Sequence, residues 1–440
     1  MNTQIVAKPK KPKTLAILLS LLLIVLAFVF QLIYSKNISK DDDIKIVRRL
    51  QTELFSRDSK TIEIFLKIMY YLSNDIVIMG LLCIVYNFSN VYKSFILFNI
   101  ISFGYFFSSL VKFIYIEKAP FNEYKDIKIY FCDLGWGLPC SQTLVVVPYY
   151  LTIWKIIVTR KNNQVNKVFK YILLTIILVF IFLLSFANLV NGGHYLNQVI
   201  FSLLVGFGLF FLIFEGLNIN ILDGKEFHSL IKRKLWVYLG FHLLLFIIIF
   251  VGYIIQSNTK FADEDLIQRC PGILDDKNDS FYKNDSFSSE GNEHYIKGTF
   301  LLSVYIIANF FCYLGVKMEI HYVFDDNYIN WMQFNFSSEE CETEDTFSTS
   351  LTISITKDTK WNNTNCISAI IRFIMFLILS AITLIPFFII RWDSNFYLIY
   401  CLKLGLSLSL FSFGIFFLFK VALTKTNCIN GALFSMIQDK

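Results

Sequence analysis

Runs of about 20 consecutive apolar residues recur along this chain, and a run of that length crosses a hydrocarbon core of roughly 30 Å as one helix. They lie near Leu15–Tyr34, Ile64–Phe88, Tyr92–Ile116, Thr143–Val158, Tyr171–Leu189, Tyr195–Leu217, Leu235–Ile255, Gly298–Val316, Ile370–Ile390 and Asn395–Ala422. In lipid the backbone must satisfy its own hydrogen bonds, which long apolar runs do as helices. The expected fold is therefore an all-α polytopic membrane protein with about ten spans. The hydrophobic content of 55% exceeds the roughly 45–50% of globular chains because of these runs.

The first run follows the basic cluster Lys8, Lys10, Lys11 and Lys13. It is longer than a signal-peptide core of roughly 7–15 residues, and no small-residue cleavage site follows it, so it reads as a retained anchor with a cytosolic N-terminus. That orientation puts the basic stretches Arg160–Lys170 and Lys225–Lys234 inside, together with Lys420, Lys425 and Lys440, as the positive-inside rule expects. The acidic loop 256–297, with glycosylation sequons at Asn278 and Asn284, falls outside, as does the sequon at Asn37. The loop 317–367 departs from the pattern. It is expected in the cytosol, yet it is acidic (Glu339, Glu340, Glu342, Glu344, Asp345) and holds sequons at Asn335 and Asn362. Long loops obey the charge rule poorly.

Neither the cysteines nor His228, His242, His294 and His321 show the spacing of a metal site, so no metal and no cofactor is expected. Cys140 reads as an inert thiol, since no base stands beside it in the sequence. No feature points to nucleic acid.

Polar residues gather where three spans meet one face of the membrane. The third span closes with Lys112-Phe-Ile-Tyr-Ile-Glu-Lys118-Ala119-Pro120. The fourth opens after Gly135-Trp136-Gly137-Leu138-Pro139-Cys140-Ser141-Gln142. The fifth and sixth are joined through Asn188-Leu-Val-Asn191-Gly192-Gly193-His194, with Asn197 and Gln198 just beyond. Polar groups at span ends on one side are where chemistry is expected. Taken alone, Lys112 would simply extend toward the interface.

In order, spacing and placement these residues resemble the type-2 phosphatidic acid phosphatase/haloperoxidase superfamily, which includes glucose-6-phosphatase and sphingosine-phosphate phosphatases. That family has a six-helix core with Lys-x6-Arg-Pro closing the third helix, Pro-Ser-Gly-His opening the fourth, and Ser-Arg-x5-His-x3-Asp across the turn from fifth to sixth. The resemblance implies a basic tail at 1–14, a phosphatase-like core at 15–217, and about four additional transmembrane helices in 218–440. Lys112, Pro120, Pro139 and His194 match family positions. Ala119 and Asn188 replace the two phosphate-gripping arginines, and Cys140, Ser141 and Gln142 replace Ser, Gly and His.

By this resemblance His194 takes the place of the nucleophile, Gln198 that of the orienting Asp, and Gln142 that of the general acid. Lys112, Ser141 and Asn188 are left to bind phosphate. Gln198, four residues beyond His194, is expected on the same helical face and within hydrogen-bonding reach. The implied partners are membrane lipids and a phosphorylated lipid or small phosphate ester, bound on the lumenal or extracellular side with little or no turnover. The competing reading is a transport or scaffolding membrane protein that resembles the family by accident.

Overall fold

The computed structural model describes residues 14–37, 40–55, 59–88, 91–124, 126–127, 136–158, 167–213, 235–257, 304–323, 373–375, 377–379, 381–382 and 397–418. Every regular element among them is helical. In chain order they are α1 (Thr14–Asn37), α2 (Lys40–Phe55), α3 (Ser59–Ser73), α4 (Asp75–Phe88), α5 (Val91–Tyr115) and α6 (Pro120–Glu123). They continue with α7 (Ser141–Val158), α8 (Lys167–Val190), α9 (Leu196–Phe211), α10 (Leu235–Ser257), α11 (Val304–Val323) and α12 (Tyr397–Phe413), whose last turn widens into a π-helix at Gly414–Leu418. Five helices, α1, α5, α7, α8 and α10, are long and apolar enough to cross a membrane, and α9, α11 and α12 contain shorter apolar helices. The protein is an integral, multi-pass, all-α membrane protein.

The second run is bent. Residues Lys60–Ser73 and Val77–Val85 meet at a 47° bend. The bend falls at Ser73-Asn74-Asp75, where the Asn74 carbonyl accepts from the amides of Val77 and Ile78 at 3.0 and 3.1 Å. Short polar residues compete locally for backbone hydrogen bonds, which breaks an apolar helix at such a point. Nothing in the apolar runs points to α2. Its Ile44 and Val47 are buried against Ala119, Phe121, Leu189 and Tyr195, while Asp42, Lys45, Arg49 and Glu53 are exposed and Asp43 alone of its described acids is buried, so it lies across one end of the bundle. Of the eighth run, residues from Val304 are described, and their helix continues past Val316 to Val323. The loops 256–297 and 317–367 lie outside the described residues except for 256–257 and 317–323, as do the sequons at Asn278, Asn284, Asn335 and Asn362. Of the ninth run only parts of 373–382 are described.

Helices α5 and α7 form the centre, with 72% and 67% of their spans buried against 17% for α1 and 11% for α10. Close packing needs small residues, because lipid supplies no hydrophobic drive between helices. A Cβ on Gly206 of α9 would meet Val147 Cβ of α7 at 2.9 Å. On the other side of α9, Ser20 of α1 donates to the Gly208 carbonyl at 2.8 Å. Contacts along these helices fix their directions. Gly104 of α5 meets Val145 of α7 while Ser108 meets Ser141, so those two run antiparallel. The ends of α1, α5 and α8 and the starts of α7 and α9 therefore share one end of the bundle, the end that α2 covers.

Candidate functional site

The site begins where α5 stops. Ile116 adopts φ 51°, and its amide donates back to the Lys112 carbonyl at 3.2 Å, which ends the helix with one left-handed residue. For a β-branched side chain that conformation costs about 1–2 kcal/mol, so surrounding structure must hold it. The chain that follows does so. The Glu117 carbonyl accepts from the Gly137 amide at 2.6 Å, and the Phe121 amide donates to the Gly192 carbonyl at 3.2 Å. Gly192 itself has φ 72°, which the turn between α8 and α9 requires and glycine tolerates. These bonds bring together the three segments 112–121, 136–142 and 188–198.

His194 and Cys140 meet at the centre of this junction. His194 is buried, and its Nδ1 lies 2.8 Å from the Gly137 carbonyl. A carbonyl only accepts, so Nδ1 carries the proton and Nε2 is the basic nitrogen of the neutral ring. The imidazole also hydrogen-bonds the Cys140 thiol. Thr143 Oγ1 stands 3.2 Å from that sulfur, and Asn188 Nδ2 reaches both sulfur and hydroxyl at 3.4 and 3.3 Å. Burial pushes the Cys140 thiol up, but the neighbouring His194 and the hydrogen bonds from His194 and Thr143 outweigh it and bring the thiol below its ordinary value. Sequence reading marked this cysteine inert because its base comes from a distant segment; the fold supplies that base.

Ser141 binds Ser108 of α5, oxygen to oxygen, at 2.7 Å. Lys112 follows Ser108 by four residues and so lies on the same face of α5, one turn nearer the junction. It is only 1% exposed and has no ion pair or side-chain hydrogen bond among the described residues. Lys112 therefore turns inward rather than extending to the interface. A buried ammonium without a counter-charge is costly and favours an anion beside it.

Gln198 does not play the part expected of it. His194 precedes α9 and is not on it, so spacing by four residues does not stack the two side chains. Gln198 instead caps its own helix, its Oε1 accepting from the Tyr195 amide at 3.0 Å. Its Nε2 donates to Glu117 Oε2 and the Lys118 carbonyl, each at 3.3 Å. The imidazole is oriented by the Gly137 carbonyl. Gln142 is half-buried on the first turn of α7, with no side-chain hydrogen bond among the described residues. Ala119, where the family has arginine, is packed with Ile44 and Val47 of α2. Apolar contact fills the place of a guanidinium.

Sequence reading missed Glu117 and Gln31. Glu117 Oε1 accepts from Gln31 Nε2 at 2.7 Å, and Gln31 Oε1 in turn accepts from Asn197 Nδ2 at 3.2 Å. A glutamine inside the otherwise apolar first run was the available signal. Nearer the surface Tyr195 donates to Glu123 at 2.6 Å. Tyr34 donates to Asp43 of α2, whose carboxyl is raised by burial against the opposing effect of that bond. No three His, Cys, Asp or Glu among the described residues are grouped to hold a metal ion.

Residues 93–221 match the family model described as the PAP2 superfamily. The match runs from α5 to beyond the end of α9, and so takes in all three segments of the junction. No curated protein and no solved structure matches the chain.

Proposed function

We propose, from the match of residues 93–221 to the PAP2 superfamily model, that the chain is a divergent phosphatidic acid phosphatase-like membrane protein. It binds a lipid phosphate or small phosphate ester on the non-cytosolic side, at the junction of α5, α7, α8 and α9, with weak or no turnover by the family's phosphohistidine route. The observation that carries this reading is Lys112, buried without a counter-charge among the described residues, one turn beyond the Ser108–Ser141 contact. The start of α7 adds amides that favour an anion.

Weak turnover follows from what is absent. With Gln142 in place of an acid, no charged donor meets the leaving group, and a general acid contributes about 10²–10⁴ in rate. The Gly137 carbonyl orients His194 but brings no full negative charge to steady an imidazolium. Two lost arginines remove bidentate grip on a dianion. The competing transport or scaffolding reading expects the start of α7 and the His194 turn to lie apart. The hydrogen bond between Gly137 and His194 speaks against that.

Binding of inorganic phosphate and of phosphatidate to the purified full chain tests the reading, with Lys112→Ala beside it. Losing one charged hydrogen bond of about 1.5–3 kcal/mol should weaken binding about 10–100-fold. Affinity that ignores Lys112, or fast phosphatidate hydrolysis abolished in His194→Ala but intact in Cys140→Ser, would reject it.

A further inference from the structure

Cys140 and His194 together have the parts of a nucleophile–base pair. Such a pair needs a thiol within reach of an imidazole and a third group that fixes the imidazole's tautomer. All three are present, with the Gly137 carbonyl 2.8 Å from Nδ1 as the third. Cys140 immediately precedes the first residue of α7, where the helix dipole favours a thiolate. Thr143 Oγ1 at 3.2 Å and Asn188 Nδ2 at 3.4 Å surround the sulfur with polar hydrogens. Lys112, buried and without an ion pair among the described residues, is the separate sign that an anion belongs in this place.

The absence of the family's orienting carboxylate makes sense for a sulfur nucleophile. An attacking imidazole becomes a phosphorylated cation and needs a carboxylate beside it. An imidazole that only takes a proton from a thiol needs an oriented acceptor at Nδ1, and a backbone carbonyl suffices.

Resting on the phosphate-binding reading above, we propose that Cys140, rather than His194, is the nucleophile of this site, acting on a phosphate monoester with His194 as its base. The thiol proton passes to His194 and the sulfur attacks phosphorus. The P–O ester bond breaks, and the alcohol departs with the proton held by His194. Water then attacks the S-phosphocysteine and gives a proton to His194. The P–S bond breaks, and thiol and inorganic phosphate are released. One water is consumed and no redox partner is needed.

The test uses the full chain in detergent and alkylation of Cys140 by iodoacetamide at neutral pH, followed by peptide mass spectrometry. Cys83 and Cys312, buried in α4 and α11, serve as internal references. Alkylation of Cys140 should fall about tenfold in His194→Gln, because a neutral amide cannot hold the thiolate, and by a smaller factor in Thr143→Val. Saturating inorganic phosphate should protect Cys140 in the wild type but not in Lys112→Ala. A labelled phosphate monoester, quenched during turnover, should leave phosphate on residue 140.

Equal alkylation rates in wild type and His194→Gln would overturn the thiol assignment, as would label on His194 that persists in Cys140→Ser. If phosphate protects Cys140 while His194→Gln changes nothing, the binding reading stands and only the nucleophile is wrong. If phosphate does not protect, both readings fall.

Discussion

Near its C-terminal end α5 delivers Ser108 and Lys112 into a junction where side chains close on one another, and Glu117 just beyond links Gln31 to Gln198. About 20 Å back along the same helix, Asn99 meets the later spans. There it accepts from Asn309 of α11 at 3.0 Å, with the Tyr238 hydroxyl of α10 at 3.5 Å. Around this second meeting the bonding is incomplete. Buried His242 Nε2, Asn309 Oδ1, Ser407 Oγ and Ser409 Oγ have no partner among the described residues; near the junction Asn197 Oδ1 and the Lys112 side chain share that condition. The family-matched helices use polar groups to fix geometry across helices. The later helices bury polar groups that fix little, each at a cost of about 1–3 kcal/mol.

Four substitutions or conditions would break or sharpen that contrast. Replacing Glu117 by Ala leaves Gln31 and Gln198 without a shared acceptor. Thermal or denaturant unfolding in detergent should show a loss of about 2–4 kcal/mol, and an unchanged midpoint would mean the network is decorative. Next comes Gly208→Ala, whose new Cβ would stand 2.8 Å from Ile24 Cγ1 and 3.2 Å from the Ser20 carbonyl. Overpacking of this kind costs about 1–3 kcal/mol and should loosen α1, read as faster amide exchange along that helix.

His242→Leu probes the other region and has the opposite sign. It removes an orphaned nitrogen, and the Tyr238 carbonyl that loses Nδ1 keeps its helical hydrogen bond. Stability should hold or rise by about 1 kcal/mol, whereas a clear loss would show that Nε2 serves something in the membrane.

The smallest effect concerns pH and α2. Burial raises the Asp43 carboxyl above its unfolded value. A raised acid favours the folded state below the unfolded value, and the benefit is lost as pH rises through the folded one. Acidification from neutral pH toward the carboxylate range should therefore raise the protection of α2 amides, once the intrinsic pH dependence of exchange is divided out, and Asp43→Asn should abolish that rise.

Much of the architecture was legible because a membrane enforces it. Apolar length marked the spans, and polar residues at Lys112, Ser141 and His194 marked the shared end. What stayed hidden depends on local geometry or on distant partners. The role of Gln198 turned on whether His194 lies inside α9 or ahead of it, and helix starts are uncertain by a few residues in any pattern reading. The base for Cys140 comes from a remote turn, which no local spacing can reveal. Helix α2 is amphipathic and short, so it escapes a search for apolar runs. Asn74 could have been read as a break, since it stands between Ser73 and Asp75 in the second run.

The directions of the later helices bear on a question of parity. Asn99 faces Asn309 while Tyr105 stacks on Tyr305, so α11 descends where α5 ascends. Gly405 lies against Val304, and Gly315 against Phe413 and Phe416, so α12 runs the same way as α11. The end of α11 and the start of α12 therefore lie at opposite ends of the bundle. With both helices across the membrane, an epitope or reporter after Val323 and one before Tyr397 should answer to different sides; the same side for both would show that one of the two does not cross.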